Sequence, residues 1–237
     1  MLSIIIPAKN ESDNLEDIFK YFTNGLREVE YEVILINDFS SDNTLEKAKS
    51  VFQNHQNFKI FNNNKIGLGG AINLGISKSN GTKIAIMMAD LSDDINDLKK
   101  YNSIMDEKKI DAVLGSRFQK ESLVKDYPLK KLFLNRIFNF FVRIIFWNKY
   151  NDYTNAFKIY KKEVLMTMMP FVSESFNIFL EIPLKIISRK YSFEIIPINW
   201  FGRKKGDAKF KIQELQSKYL FTLIYCFSEK ILLKIKK

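Results

Sequence analysis

Carboxylates and amides follow three short apolar runs in this 237-residue chain. Ser3–Ile6 leads into Pro7-Ala8-Lys9-Asn10-Glu11, Tyr31–Asn37 into Asp38-Phe39-Ser40-Ser41-Asp42, and Lys83–Met88 into Ala89-Asp90-Leu91-Ser92-Asp93-Asp94. Gathered at one edge of a sheet, such groups suit hydrogen bonding to a base and ribose and the holding of a hard cation through oxygen. Asp, Asn and Ser are equally the residues of turns and helix caps. That reading is preferred for Asp42, Asn43 and Asp94. The shared place after an apolar run favours a functional one for Glu11, Asp38 and Asp90. Gly67, Gly69 and Gly70 stand ahead of a helical pattern, where backbone amides could approach a phosphate or the glycines could simply allow close packing. Arg117, Arg203 and Lys209 form the basic set, with Lys131 and Arg136 secondary.

Other chemistry is excluded by composition. His55 is the only histidine and Cys226 the only cysteine, so a histidine dyad, a multi-histidine metal site and an internal disulfide are ruled out. A net charge of +10 points to an anionic partner. There is no charged start followed by an apolar stretch and a cleavage site, and no apolar run long enough to span a bilayer. The expectation is a protein on the cytoplasmic side.

The elements that must position these residues alternate. Strands are predicted over Ser3–Ile6, Tyr31–Asn37, Phe58–Phe61, Lys83–Met88 and Ala112–Gly115, and helices over Ser12–Leu26, Ser41–Phe52, Leu68–Ser77 and Asp94–Asp106. This pattern predicts an α/β domain with a mostly parallel central sheet flanked by helices and a ligand crevice beyond the carboxyl ends of the strands. A Phe-rich helix over Leu129–Trp147, a strand over Ala156–Tyr160, a helix over Phe176–Ser188 and a strand over Phe193–Trp200 follow. The basic loop Gly202–Lys209 then leads to a C-terminal helix from about Ile212. One domain over 1–237 is expected, divided into 1–115, 116–210 and an amphipathic 211–237.

Five motifs in this order resemble the GT-A-fold, family-2 glycosyltransferases, in particular the dolichol- or polyprenyl-phosphate mannose and glucose synthases. They are Ile5-Ile6-Pro7 through Asn10-Glu11, Asn37-Asp38-Phe39-Ser40-Ser41-Asp42-Asn43-Thr44, Gly67-Leu68-Gly69-Gly70-Ala71, Gly115-Ser116-Arg117-Phe118 and Arg203-Lys204-Lys205-Gly206-Asp207-Ala208-Lys209. The resemblance implies a nucleotide-diphospho-sugar transferase fold and inverting transfer of a hexose from UDP- or GDP-hexose to a polyprenyl phosphate. It assigns Pro7, Ala8, Asn10, Glu11, Asp38, Gly67 and Gly69 to the nucleotide sugar, and Asp90 with Ser92 to Mg²⁺ or Mn²⁺. Arg117, Arg203 and Lys209 would then neutralise the acceptor phosphate and the departing diphosphate. Met88 departs from the family's Asp-x-Asp, and because a thioether is a poor ligand for a hard cation, weaker metal affinity is expected. Asp93 is either a replacement carboxylate or a helix cap. An ionised acceptor phosphate needs no general base. A glycan-hydroxyl acceptor, the alternative, would need one, with Asp152 the candidate. A decayed nucleotide-sugar-binding protein is a further alternative.

In the Phe-rich helix Lys131, Asn135, Asn139 and Arg143 recur every four residues, leaving Phe133, Phe140, Phe141, Ile144, Ile145 and Trp147 over much of the rest. Such a helix is buried in protein or lies in a lipid interface. Tyr219–Phe227 followed by Lys230, Lys234, Lys236 and Lys237 could lie flat on anionic headgroups. The expected partners are therefore an anionic membrane surface at its inner face, and a separate membrane subunit or a second copy, but not nucleic acid.

Overall fold

The structure, a computed structural model, describes residues 1–202 and 212–235. Arg203 and Lys209 lie outside the described residues, as does most of the basic loop. In chain order the elements are β1 (Leu2–Ala8), a 3-10 turn (Ser12–Asn14) running into α1 (Leu15–Gly25), β2 (Tyr31–Asn37), α2 (Thr44–Phe52), β3 (Phe58–Asn62), α3 (Leu68–Lys78), β4 (Lys83–Ile86), α4 (Ile95–Lys108) and β5 (Ala112–Ser116). There follow β6 (Val124–Lys125), α5 (Leu129–Phe146), β7 (Lys158–Lys161), α6 (Lys162–Met168), α7 (Ile178–Ser188), β8 (Phe193–Pro197), β9 (Trp200–Phe201) and α8 (Ile212–Ile235).

Seven strands form one sheet in the order β3-β2-β1-β4-β7-β5-β8, parallel except for β7. Because strand side chains alternate between faces, Ile4, Ile6, Val33 and Leu35 enter one apolar cluster while Ile5, Ile34 and Ile36 enter another. The first cluster is closed by α1 and α4 through Leu15, Ile18, Phe22, Leu98 and Tyr101. The second is closed by α3 and α7 through Ala71, Ile72, Leu180 and Leu184. The strand register keeps the carboxyl ends level. Ala8 pairs with Asn37 and Asn37 with Asn62, and the Asp38 N–H donates to the Ala8 carbonyl at 2.7 Å. The reversed β7 begins at this same edge, where β4 and β5 end.

Two features differ from the sequence expectation, and a third is one the sequence left open. The short strands β6 and β9 pair with each other, and α6 follows β7 directly; neither was anticipated. The helices expected from Ser12 and Ser41 begin at Leu15 and Thr44, because the residues before them form the strand-end turns. Most telling is α5. Asn139, Val142 and Phe146 are buried, whereas Phe133, Phe140, Phe141, Ile144 and Ile145 are exposed, as is Trp147 just beyond. The amide stripe faces the protein and the apolar face points outward. α8 lies beside it, with Phe138 against Tyr219 and Phe146 against Phe227. Its Lys230 Nζ donates to the Phe146 carbonyl at the C-terminal end of α5 at 2.6 Å, where a cation meets the negative end of the helix. Leu220, Phe221, Ile224, Ile231 and Leu232 extend the exposed apolar face along α8.

Candidate functional site: the strand-end crevice

Glu11, Asp38, Asp90 and Arg117 follow the carboxyl ends of β1, β2, β4 and β5, so all four stand at one edge of the sheet. Asp38 is 5% exposed, and its Oδ1 accepts from Asn63 Nδ2 at 2.7 Å and from the Gly67 N–H at 2.9 Å. No donor among the described residues reaches Oδ2. Glu11 is buried; its Oε2 accepts from Asn14 Nδ2 at 2.6 Å and its N–H donates to Thr44 Oγ1 at 2.9 Å.

Two strand-end turns are clasped together. Asn10 Oδ1 accepts from the Ser41 N–H at 2.7 Å, Asn10 Nδ2 donates to Ser41 Oγ at 3.1 Å, and Asp42 accepts from the Ser12 and Thr44 N–H groups. Asn10 and Asp42 thus hold the turns, as the cap-and-turn reading of Asp42 anticipated. The turns carry strain. Asn10, Phe39 and Leu91 all adopt left-handed backbone conformations, with φ of 53°, 53° and 54°, which a bulky residue such as Phe39 rarely takes. Pro7 and Ala8 are buried within β1, so the Ala8 carbonyl to Asp38 is their visible contribution.

The glycine run is built for packing. The Gly67 N–H bonds to Asp38, and the Gly69 N–H donates to the Glu174 carbonyl at 3.0 Å. A Cβ on Gly67 would stand 2.6 Å from the Glu174 carbonyl oxygen, and one on Gly69 would stand 1.8 Å from that of Ser173. Both amides are engaged inside the protein, and only glycine lets the start of α3 approach the 173–174 segment so closely. Glu181 holds that segment from beneath, accepting from the Val172 and Ser173 N–H groups at 3.1 and 2.8 Å and pairing with Lys185 at 3.0 Å.

Asp90 Oδ1 accepts from the Ser92 N–H at 3.1 Å. Asp94, not Asp93, caps α4 by accepting from the Asn96 N–H at 2.9 Å. Asp93 is therefore no cap. It is buried, and that burial, with Asp90 next to it, pushes its carboxyl up to about 8. Met88 packs against an apolar cluster. Among the described residues no group of three His, Cys, Asp or Glu side chains could hold a metal alone. One carboxylate fits a hard divalent cation only where substrate phosphates supply most of the ligands, which is the usual way Mg²⁺ is held.

Arg117 meets Asp152 along two edges: Nε donates to Oδ2 at 2.8 Å and Nη2 to Oδ1 at 2.7 Å, while the Arg117 N–H adds a third bond to Oδ2. Burial alone would lower the guanidinium, but Asp152 outweighs it and holds the group above its ordinary range. The Tyr127 and Phe118 rings each lie 5.5 Å from the guanidinium carbon. Asp152 is fully buried in this pair, which removes it as a candidate base. Lys158, which the sequence reading passed over as a strand residue, is 1% exposed at the same edge. Its Nζ donates to the carbonyls of Tyr153 and Asn155, and burial pushes its ammonium down to about 7. Across the rim, β9 ties the carboxylate loop to the acceptor half, because the Phe201 N–H donates to the Ser92 carbonyl and the Gly202 N–H to that of Lys125.

A seven-stranded sheet with one reversed strand, and carboxylates at its parallel strand ends, defines the GT-A class of nucleotide-sugar-transferase folds. The chain belongs to glycosyl transferase family 2, whose description matches residues 3–168. It is 28% identical over 215 residues to a dolichol-phosphate mannosyltransferase of Pyrococcus furiosus, covering 89% of this chain and 59% of that protein. A dolichyl-phosphate beta-glucosyltransferase of Trichomonas vaginalis is 28% identical over 226 residues, covering 89% of this chain and 66% of the relative. The chain thus spans less than two thirds of either. The fold also superposes on glucosyl-3-phosphoglycerate synthase of Mycobacterium tuberculosis, solved with Mn²⁺, UDP-glucose and phosphoglyceric acid. That likeness has a TM-score of 0.74 at 14% identity and covers 96% of this chain and 80% of that one.

Proposed function

We propose that this chain transfers a hexose from UDP- or GDP-hexose to a polyprenyl phosphate at a membrane surface. The observation that carries the reading is the inverted polarity of α5, an outward apolar face on the helix whose inner amides reach the turn holding Arg117. An acceptor with a greasy tail and an anionic head fits that arrangement. The names of the two relatives support it, as does the +10 charge, which suits the anionic inner face of a membrane. No helix among the described residues is long and apolar enough to cross a bilayer, and α5 with α8 would lie in the interface. A membrane subunit or a second copy is the competing occupant of that face.

In the mechanism, Asp38 and Glu11 orient the nucleoside, and Arg117, joined by Arg203 and Lys209, attracts the acceptor phosphate. A phosphate oxygen, already ionised at neutral pH, attacks the anomeric carbon. The bond from that carbon to the nucleotide breaks with its electron pair on the diphosphate, and the configuration inverts. No general base is required, in keeping with Asp152 being locked to Arg117. Asp90 and Ser92 would hold Mg²⁺ or Mn²⁺, which supplies neutralising charge to the departing diphosphate. The test is incubation with UDP- and GDP-hexoses and prenyl phosphate in vesicles, with and without Mn²⁺, reading the lipid product by mass. Asp90→Asn should cut turnover by about a hundredfold or more; full activity in that variant would contradict the site.

A further inference from the structure

Asn139 is 1% exposed although α5 turns most of its large apolar side chains outward. Its Oδ1 accepts from the Tyr153 N–H at 2.6 Å, and its Nδ2 donates to Asn135 Oδ1 at 2.7 Å and to the Asn135 carbonyl at 2.8 Å. Asn135 Oδ1 also accepts from Thr154 Oγ1 at 2.7 Å, while Asn135 Nδ2 donates to Tyr127 Oη at 3.0 Å. The far ends of this network are the two groups that hold Arg117. Residues 153 and 154 directly follow Asp152, which grips the guanidinium, and the Tyr127 ring stands 5.5 Å from its carbon.

We propose that Asn135 and Asn139 are positioning residues, fixing the Arg117 guanidinium relative to the outward apolar face of α5 and hence to an acceptor phosphate. The inference rests on the reading of Arg117 given above and adds how its place is set. Purely structural amides would need only to satisfy the helix and its neighbouring turn. Here one pair of side chains bonds both the carboxylate turn and the ring that flank one guanidinium. A lipid phosphate sits at a fixed depth in a bilayer, so a helix resting on that bilayer and a guanidinium reaching for the phosphate must keep a fixed spacing. Displacement of a positioning group by about 1 Å can cost on the order of a hundredfold in rate.

The experiment compares Asn135→Leu, Asn139→Leu and the conservative Asn135→Asp, which keeps the acceptor used by Thr154 and Asn139. Three quantities are measured on the full chain: the KM for undecaprenyl phosphate in phosphatidylcholine–phosphatidylglycerol vesicles, the Kd for UDP, and hydrogen exchange at the Arg117 Nε–H NMR signal, assigned through its loss in Arg117→Lys. Both leucine variants should raise the acceptor KM about tenfold or more, leave the UDP Kd unchanged and speed exchange at Arg117 Nε. Asn135→Asp should restore both readouts. Unchanged exchange in both leucine variants overturns the proposal, and so does a parallel loss of UDP binding, which would mark a general structural role. If wild type uses no phosphate acceptor, the functional reading fails at that control, and the Arg117 signal still decides this one. Asn139 is buried, so Asn135→Leu, at a half-buried position, keeps the test open should Asn139→Leu fold poorly.

Discussion

Arg117 and Asp152 stand 35 residues apart in sequence and meet through three hydrogen bonds, two from the guanidinium and one from the backbone. Both are buried. A two-point contact of this kind fixes the plane of the guanidinium as well as its position, so the edge turned away from Asp152 keeps a defined direction.

Removing the carboxylate charge should therefore be felt first as lost stability. Asp152→Asn leaves a buried guanidinium without its counter-charge, a change that costs about 3–5 kcal/mol. Urea denaturation should show a loss of that order. An inactive variant of wild-type stability would instead point to Asp152 as a base for a hydroxyl acceptor.

The outward face of α5 predicts how the protein meets lipid. Phe140→Ser combined with Phe141→Ser removes two exposed rings, each worth about 1.5–3 kcal/mol when buried, so vesicle affinity should fall about tenfold or more. Flotation with phosphatidylglycerol-containing vesicles reads this, and added salt should weaken binding further. Unaltered flotation, with a change in oligomeric state instead, would assign the face to a second copy.

Asp93 predicts a pH dependence. Burial and then Asp90 raise its carboxyl from 3.8 to about 8. A carboxyl raised on folding contributes stability that is fully present below pH 4 and is lost as the pH climbs through about 8. Asp93→Asn cannot ionise, so its stability relative to wild type should grow across that window, by on the order of 1–3 kcal/mol at pH 8. Melting temperatures of both proteins at pH 5 and pH 8 check this; a constant difference would contradict it.

Met88 predicts a weak cation site. Substituting a carboxylate for the thioether, Met88→Asp, should tighten Mn²⁺ binding in the presence of UDP by about tenfold. The Mn²⁺ electron paramagnetic resonance signal measures free ion directly. Equal affinities would mean that residue 88 faces the core in both proteins and that the cation is held elsewhere.

The strands of the nucleotide half were legible in the sequence because their signal is local. The Tyr31–Asn37 run is β-branched and apolar and is bounded by turn residues, and the strand has those bounds. The placing of Glu11, Asp38 and Asp90 at one edge followed from strand–helix alternation alone. What stayed hidden depends on direction and distance. A run such as Lys158–Lys161 carries no mark of whether it will lie antiparallel, and its first residue became a buried lysine only through that reversal. The four-residue spacing of Asn135 and Asn139 defined a stripe but not which side of it would face protein, because both a buried and an interfacial helix satisfy it. Asp93 and Asp94 are adjacent and chemically alike, and only the backbone turn decided which of them caps α4. The glycine run was ambiguous for a related reason: its amides were expected to face phosphate or protein, and the carbonyl of Glu174, more than a hundred residues away, takes one of them.

The central claim is that the attacking atom is a phosphate oxygen, drawn in by a guanidinium and needing no base. The most direct measurement offers the chain a prenyl phosphate and the prenyl alcohol of equal length in the same vesicles, with labelled UDP- and GDP-hexoses, and follows label into lipid. Label should enter only the phosphorylated lipid. Equal incorporation into the alcohol, or transfer to a glycan hydroxyl with none to either lipid, would contradict it.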